Sequence, residues 1–454
     1  GVQTCALPIY KLEVALQGFK TYVQTGIVLQ VGATPTINAV LGVGSLEETV
    51  SVEAAAPIVD VRSAGISEVV ENERIVELPL QGRQVTDLIV LAGAAVENGR
   101  PNSRNFQGGV NISVAGGVSF GVSYLLDGAM HNDPQNAGGM PLPFPDALQE
   151  FSVATSGLSA SNGVRSGASV NAVTKSGTNR LAGIGFGFLR DKRFNAKSPF
   201  ASINPATGTR RDDGLRRNQF GGTLGGPIVR DKIFFFGAYQ GTLTRQTPAD
   251  RISYVPTAAM LSGDMTAFAS PACNAGRQIT LGAPYVGNRI SPALFSRAAL
   301  NISAKLPTTS DPCGLVQYGL PRSEDEWQQV TKIDYQMNDK HRVFGRYIGT
   351  SFFRPPPFSL PEAQQNLLVT SIGGRDQLAT TMSIGEDYVI SSTTLNSVRF
   401  AFNRTAITRT STDFFSAPEV GINIYSYMPH YMLDRKSTRL NSSHVSESRM
   451  PSSA

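Results

Sequence analysis

No apolar run in the 454 residues approaches the roughly 18 needed for a membrane-spanning helix. The longest candidate, Leu88–Val96 (LIVLAGAAV), is about half that length. A helical membrane protein is therefore excluded, and membrane insertion would require a closed β-barrel, in which every backbone group is paired. Charge is also scarce: Asp, Glu, Lys and Arg make up 17% of the chain, against about 25% in soluble domains. The net charge of +5 does not point to nucleic acid. The tail Arg435–Ala454 supplies +3 of it through Arg435, Lys436, Arg439 and Arg449 against Glu447, and no basic, aromatic-interleaved face remains elsewhere. An initiator Met and a signal peptide are missing, so the chain reads as an internal fragment. Residues 1–9 and 434–454 resemble translated sequencing-adapter read-through and are set apart from fold reasoning.

Catalytic machinery is missing as well. His131 and Asp133 in DGAMHNDP could be metal ligands, but a turn rich in Asn, Asp and Gly is an ordinary turn. His341 stands alone at a hairpin start, and Asp127, Asp146 and Glu150 show no acid/base spacing. GGTLGGP and SGLSASNGVRSG lack the Lys-Ser/Thr and strand–helix context of a phosphate loop. The sequence predicts no enzyme, no metal and no cofactor. Of three cysteines, Cys5 lies in the set-aside head. Cys273 and Cys313 sit in polar, Pro/Gly-rich segments, either as one disulfide closing a long loop outside the cytosol or as two free thiols.

What is present is β texture. Residues 10–54 read as short strands (YKLEVAL, TYVQTGIVLQV, PTINAVLGV, EETVSVEA), with Ile27, Leu29 and Val31 on one half-buried face. Residues 60–178 have an α+β character. Helix-like patches fall at Ile66/Val69/Val70 and Val85/Leu88/Ile89, followed by strands in NISVAGG, VSYLLDGA and QEFSVATS. From 181 onward, strands are expected at 181–190, 217–228, 232–246, 327–337, 341–353, 376–388 and 395–408, joined alternately by short turns and long segments. The late strands set apolar residues (Val398, Phe400, Phe402; Leu378, Met382, Ile384, Tyr388) against small or polar ones. Such alternation suits a barrel wall, and a sandwich edge would show it too.

The junction is Glu150–Leu189. Between Phe151 and Asn179 it is small and polar, with charge only at Arg165 and Lys175. It then becomes a strand with Ile184, Phe186 and Phe188 on one face and Gly183, Gly185 and Gly187 on the other. The large face is expected to meet lipid.

Several segments in order carry a family resemblance: LPLQGRQVTDLIVLAGAAV, NISVAGG with SYLLDGAMHNDP, PFPDALQEFSVATSGLSASNGVRSGASVNAVTKSGTN, GGTLGGPIVRDKIFFFGAYQG and YVPTAAMLSGDMTAF. Together, over about 10–432, they resemble TonB-dependent outer-membrane receptors of the Oar-like group. Residues 10–54 resemble the end of a carboxypeptidase-regulatory-like β-sandwich. The resemblance implies a mainly β fold with three parts: a remnant sandwich at 10–54, a plug domain at 60–178, and a partial transmembrane β-barrel at 181–433. The last supplies about seven strands of an expected 22, such barrels having a plugged lumen.

It further implies ligand capture and energised, gated uptake or export across the bacterial outer membrane. Its partners would be the TonB-ExbB-ExbD system, outer-membrane lipid and an unidentified substrate, with no nucleic acid. The segment expected to bind TonB and most of the wall are missing, so the fragment alone should not transport. The alternative is a surface adhesin or structural β protein without a channel. Under the transport reading, plug apices 99–111 and 129–145 would offer Phe106, Met130, Met140 and Phe144 to ligand. Arg83, Arg165 and Lys175 would pair with carboxylates on the wall.

Overall fold

The computed structural model describes residues 9–424, apart from 29–36, 45–48, 54–65, 98–111, 134–137, 159–164, 247–250, most of 357–373, 411–414 and several shorter gaps. The set-aside tail and nearly all of the set-aside head lie outside the described residues, as do Phe106, Leu29 and Val31.

A small sheet comes first. β1 (Ile9–Val14) pairs antiparallel with β2 (Thr21–Val28), and β2 pairs parallel with β3 (Thr49–Glu53). Val23 and Ile27 of β2 are buried. The strand expected in PTINAVLGV does not form over 37–43; its end makes a single bridge, Phe19 to Val43.

The second unit is an α+β module. Its strands are β4 (Ile66–Glu71), β5 (Ala95–Glu97), β6 (Ile112–Val114), β7 (Val122–Leu126), β8 (Ala129–Met130), β9 (Leu148–Ser156) and β10 (Ala168–Thr174), with helices α1 (Asn72–Glu77) and α2 (Asp87–Leu91). The main sheet runs β4-β9-β10-β7-β8, and β5 pairs with β6. The helical patch expected at Ile66/Val69/Val70 is instead β4, paired antiparallel with β9. Ile and Val are β-branched and stiff at χ1, so strand pairing wins there, and the helix begins only at Asn72, burying Ile75. α2 forms where expected and buries Leu88 and Ile89. The small, polar stretch before the junction is not loose chain: Ala168, Val170 and Ala172 of β10 are fully buried, between β9 and β7.

A short connector leads from β10 into the third unit. A Cβ at Gly177 would collide with the carbonyl oxygens of Phe235 and Gly226, so only glycine lets the connector lie flat on the wall.

The wall is a seven-stranded antiparallel meander. Its strands are β11 (Ala182–Asp191), β12 (Arg216–Val229), β13 (Ile233–Gln246), β16 (Arg322–Asn338), β17 (His341–Arg354), β18 (Gly374–Ser391) and β19 (Thr394–Thr410); β14 (Arg251–Tyr254) and β15 (Leu315–Tyr318) form a separate ribbon in the long β13–β16 connection. The strands run from 10 to 18 residues, enough to cross a bilayer at a tilt. All seven expected strands form: β11 is shifted by one residue, β13 starts one residue later, and the other five are extended at one or both ends. Turns of two or three residues alternate with the long connections 192–215, 247–321 and 355–373. No described helix is long and apolar enough to cross a membrane. The connection also contains α3 (Ala258–Leu261) and α4 (Arg297–Ser303), and a disulfide joins Cys273 to Cys313 with a Cα separation of 5.4 Å.

Alternation sorts the wall into two faces. Ile333, Tyr335, Met382, Ile384, Val398, Phe400 and Phe402 point away from the module and are exposed, while Lys332, Arg346, Ile348, Gln377 and Thr381 face it and are buried. β11 departs from the expected orientation. Phe186 packs on Phe144 of the module with ring centroids 5.9 Å apart. The face carrying Ile184, Phe186 and Phe188 is therefore turned inward, and the glycine face is turned outward.

Candidate functional site at the module–wall interface

The turn Asp127–Gly128 joins β7 to β8. Both residues have positive φ (52° and 77°), the requirement of a two-residue type I′ hairpin, for which Asp-Gly is a preferred pair. This turn aims the Asp127 carboxylate at the wall. It accepts hydrogen bonds from Thr174 N (2.9 Å) and Thr174 Oγ1 (2.8 Å), from Arg346 Nη1 (2.7 Å) and from Lys332 Nζ (3.5 Å). Arg346 Nη1 also donates to the Leu126 carbonyl at 3.0 Å. Asp127, Lys332 and Arg346 are all buried. Burial alone would push the Asp127 carboxyl up. Lys332, Arg346 and the Thr174 hydrogen bonds outweigh it and hold the carboxyl below its ordinary range. Lys332 Nζ also lies 5.2 Å from the centre of the Phe344 ring.

A second contact lies at Arg83. Its guanidinium sits 4.6 Å from the Phe186 ring centre and 4.5 Å from that of Phe188, and it pairs with Asp146. Its Nε donates to Gln240 Oε1 on β13 at 3.3 Å. Arginine suits this place because its flat cation stacks on aromatic faces while its edge donates.

Between these contacts, wall amides grip the module's backbone. Gln328 accepts from Phe144 N at 2.8 Å and donates to the Leu142 carbonyl at 3.0 Å. Gln219 donates to the Gly82 carbonyl at 3.1 Å, and Asn403 to that of Met130 at 2.9 Å.

The interface changes the role of several expected residues. Arg83 does pair, but with Asp146 of its own module, and it meets the wall through aromatic rings and an amide. In the Asp127 cluster the polarity is the reverse of that expected, with the acid on the module and the cations on the wall. Arg165 is half-buried; Lys175 is buried and its backbone N donates to the Ala147 carbonyl. Met140 is buried with Phe352 and Ala379, and its sulfur receives Thr405 Oγ1 at 3.4 Å. Phe144 is buried against Phe186, and of the expected ligand contacts among the described residues only Met130 keeps an exposed side chain. Met140 and Phe144 are thus turned to the wall.

His131 is buried too, with Nε2 on the Pro141 carbonyl at 3.1 Å. Its neighbour Asn132 ties Tyr124 N and the Val122 carbonyl together. No group of three or more His, Cys, Asp or Glu residues among the described ones is placed to hold a metal.

Asp127, weighed from sequence only as an acid/base group, carries the interface together with Lys332, Arg346 and Gln328, which sequence alone does not single out. The Asp-Gly turn signal was there to be read. So was a lone Lys or Arg at an inward position of an alternating strand. A cavity of about 60 Å³ remains between module and wall beside Arg83, Met140, Phe144, Gln328 and Phe352. That is room for a few waters.

Comparison with known proteins adds three findings. Residues 173–448 match the model of the outer membrane beta barrel domain family. The chain is 31% identical over 258 residues to the TonB-dependent transporter Oar of Myxococcus xanthus, covering 52% of this chain and 22% of that protein. Two similar solved structures are the outer membrane transporter YddB from Escherichia coli (14% identity, TM-score 0.43, 74% of this chain and 38% of that one) and the siderophore receptor PirA from Acinetobacter baumannii (11%, 0.44, 79% and 42%). The chain therefore spans less than half the length of each of these relatives.

Proposed function

Since the chain belongs to the outer membrane beta barrel domain family, we propose that it is the module-and-early-wall portion of a TonB-dependent transporter of the bacterial outer membrane. In this reading residues 66–178 are the plug, 182–410 the first wall strands, and 10–54 the end of a preceding β-sandwich. The observation that carries it is the buried Asp127–Lys332–Arg346 cluster, which seats a folded module against the polar inner face of a sheet whose outer face is apolar. A charge cluster of this kind holds firmly while intact. Once displaced, each charge needs water, so a seat built this way is either closed or fully open.

Mechanistically the work is binding and gating, with no covalent step. Ligand is captured on the side of the long connections, force from the TonB-ExbB-ExbD system withdraws or reshapes the plug, and the ligand passes. The test is a tether. In the full-length transporter, Met140→Cys and Thr405→Cys, whose native side chains touch, are joined by a short thiol cross-linker. Uptake of the transported ligand should stop on cross-linking and return on reduction. Undiminished uptake through the tethered protein would contradict plug gating.

A further inference from the structure

One transverse row of the wall, near the end where the long connections leave, is unusually basic. Arg190 of β11 stands opposite Arg217 of β12, Arg217 opposite Thr244 of β13, and Thr244 opposite Glu324 of β16. Arg354 of β17 stands opposite Arg375 of β18, and Arg375 opposite Arg409 of β19. These positions share the inward face with Gln219, Arg346 and Asn403, all of which reach the module. Like charges directly opposite each other on neighbouring strands are destabilising.

The row's single acid is already engaged. Glu324 pairs with Arg322 at 2.5 Å and with Arg354 at 3.6 Å. Glu324 and then Glu326, one inward position deeper, add some attraction at Arg217, against larger repulsion from Arg190 and Arg322. Among the described residues, Arg190, Arg217, Arg375 and Arg409 have no carboxylate within ion-pair distance. Arg190 and Arg217 also border a cavity of about 600 Å³ between the 75–83 segment and the wall, where Glu77 is the one acid. That volume is typical of a small-molecule site.

We propose that this arginine row is the entry site for a polyanionic ligand, one carrying several carboxylates or phosphates, on the outer side of the plug. The inference rests on the transport reading and gives it a substrate class. Guanidinium groups form paired, charge-assisted hydrogen bonds to such oxygens, so a bound anion would turn the row's repulsion into attraction.

The test is calorimetric titration of the full-length transporter, in non-ionic micelles at low salt, with inositol hexakisphosphate as the probe. Saturable binding is expected. It should weaken about tenfold or more in Arg217→Gln/Arg375→Gln and stay within a few-fold of the parent in Arg217→Lys/Arg375→Lys. The glutamine variant relieves repulsion, so loss of fold does not explain its loss of binding. Absence of binding by the parent, or equal binding by the glutamine variant, overturns the proposal. So does saturation by lipid A in the micelles with none by the soluble hexakisphosphate, since that would make the row a lipid site. Hydrogen exchange at the Asp127–Gly128 turn in the same samples separates the two readings. A protected turn without anion binding removes the arginine-row inference alone, and an unprotected turn removes the seated-plug reading beneath it.

Discussion

Arg346 on the wall reaches Asp127 on the module at 2.7 Å, across a sequence separation of 219 and with both side chains shut away from solvent. The pair is not a general stabiliser, because desolvating two charges costs about as much as their attraction returns. Its effect is on position. Asp127 can be satisfied only where Lys332, Arg346 and Thr174 converge, so the module has one seat and a sharp penalty for leaving it.

The acid side of the pH profile should belong to His131. Burial first, then the Arg346 charge, lower its pKa from the ordinary 6.5 to about 3. Between those values the unfolded chain holds a proton that the folded module does not. Stability is therefore complete above about pH 6.5 and falls by about 1.4 kcal/mol per pH unit on the way down. The contribution of Asp127, whose folded pKa is depressed, persists above its ordinary range and is lost only at lower pH. Urea unfolding of the module across pH 4–6.5 should show this slope in the parent and a much flatter one in His131→Gln. The same slope in both would assign the acid sensitivity elsewhere.

The inward turn of β11 can be checked with brominated lipids and fluorophores on single cysteines. Labels at Phe400 and Phe402, on the outer face, should be quenched strongly; a label at Phe186 should not. Strong quenching at 186 would restore the opposite orientation, with the phenyl groups in lipid.

How far the sequence could be read follows from where each signal lies. The seven wall strands were legible because one apolar and one polar face impose a two-residue period, and every second connection between them is a short turn. The facing of β11 was not, since Ile184/Phe186/Phe188 against three glycines tells which residues share a side and not what that side meets. Its partner, Arg83, is about 100 residues upstream. β10 is weakly announced because Ala168, Asn171 and Ala172, which have low strand propensity, interrupt Val170, Val173 and Thr174. β4 was mistaken for a helix because Ile66, Val69 and Val70 fit the i, i+3, i+4 spacing of a helix as well as they fit a strand. The Asp127 cluster joins residues too distant in sequence for any local pattern to announce.

The Cys273–Cys313 bond spans a separation of 40 residues, for which the chain-entropy model assigns about 4 kcal/mol of constraint on the open loop. That loop also packs its α4 region on the segment after β19, with Ile302 and Leu306 against Phe415 and Val420. Cys273→Ser/Cys313→Ser should therefore speed hydrogen exchange across 258–303 and 415–422 together, and leave β16–β19 unchanged. Uniform loss of protection over the wall would mean that the loop supports the barrel, which this account does not expect.

The most direct test is a double-mutant cycle on Asp127 and Arg346, read as the free energy of releasing the module from the wall in lipid. Asp127→Asn alone should cost about 3–5 kcal/mol, because two cations are left buried against a neutral amide. Adding Arg346→Met should recover part of that, giving a coupling of about 2 kcal/mol or more between the two sites. A coupling near zero, with both single variants close to the parent, would mean that the module is not seated through this pair.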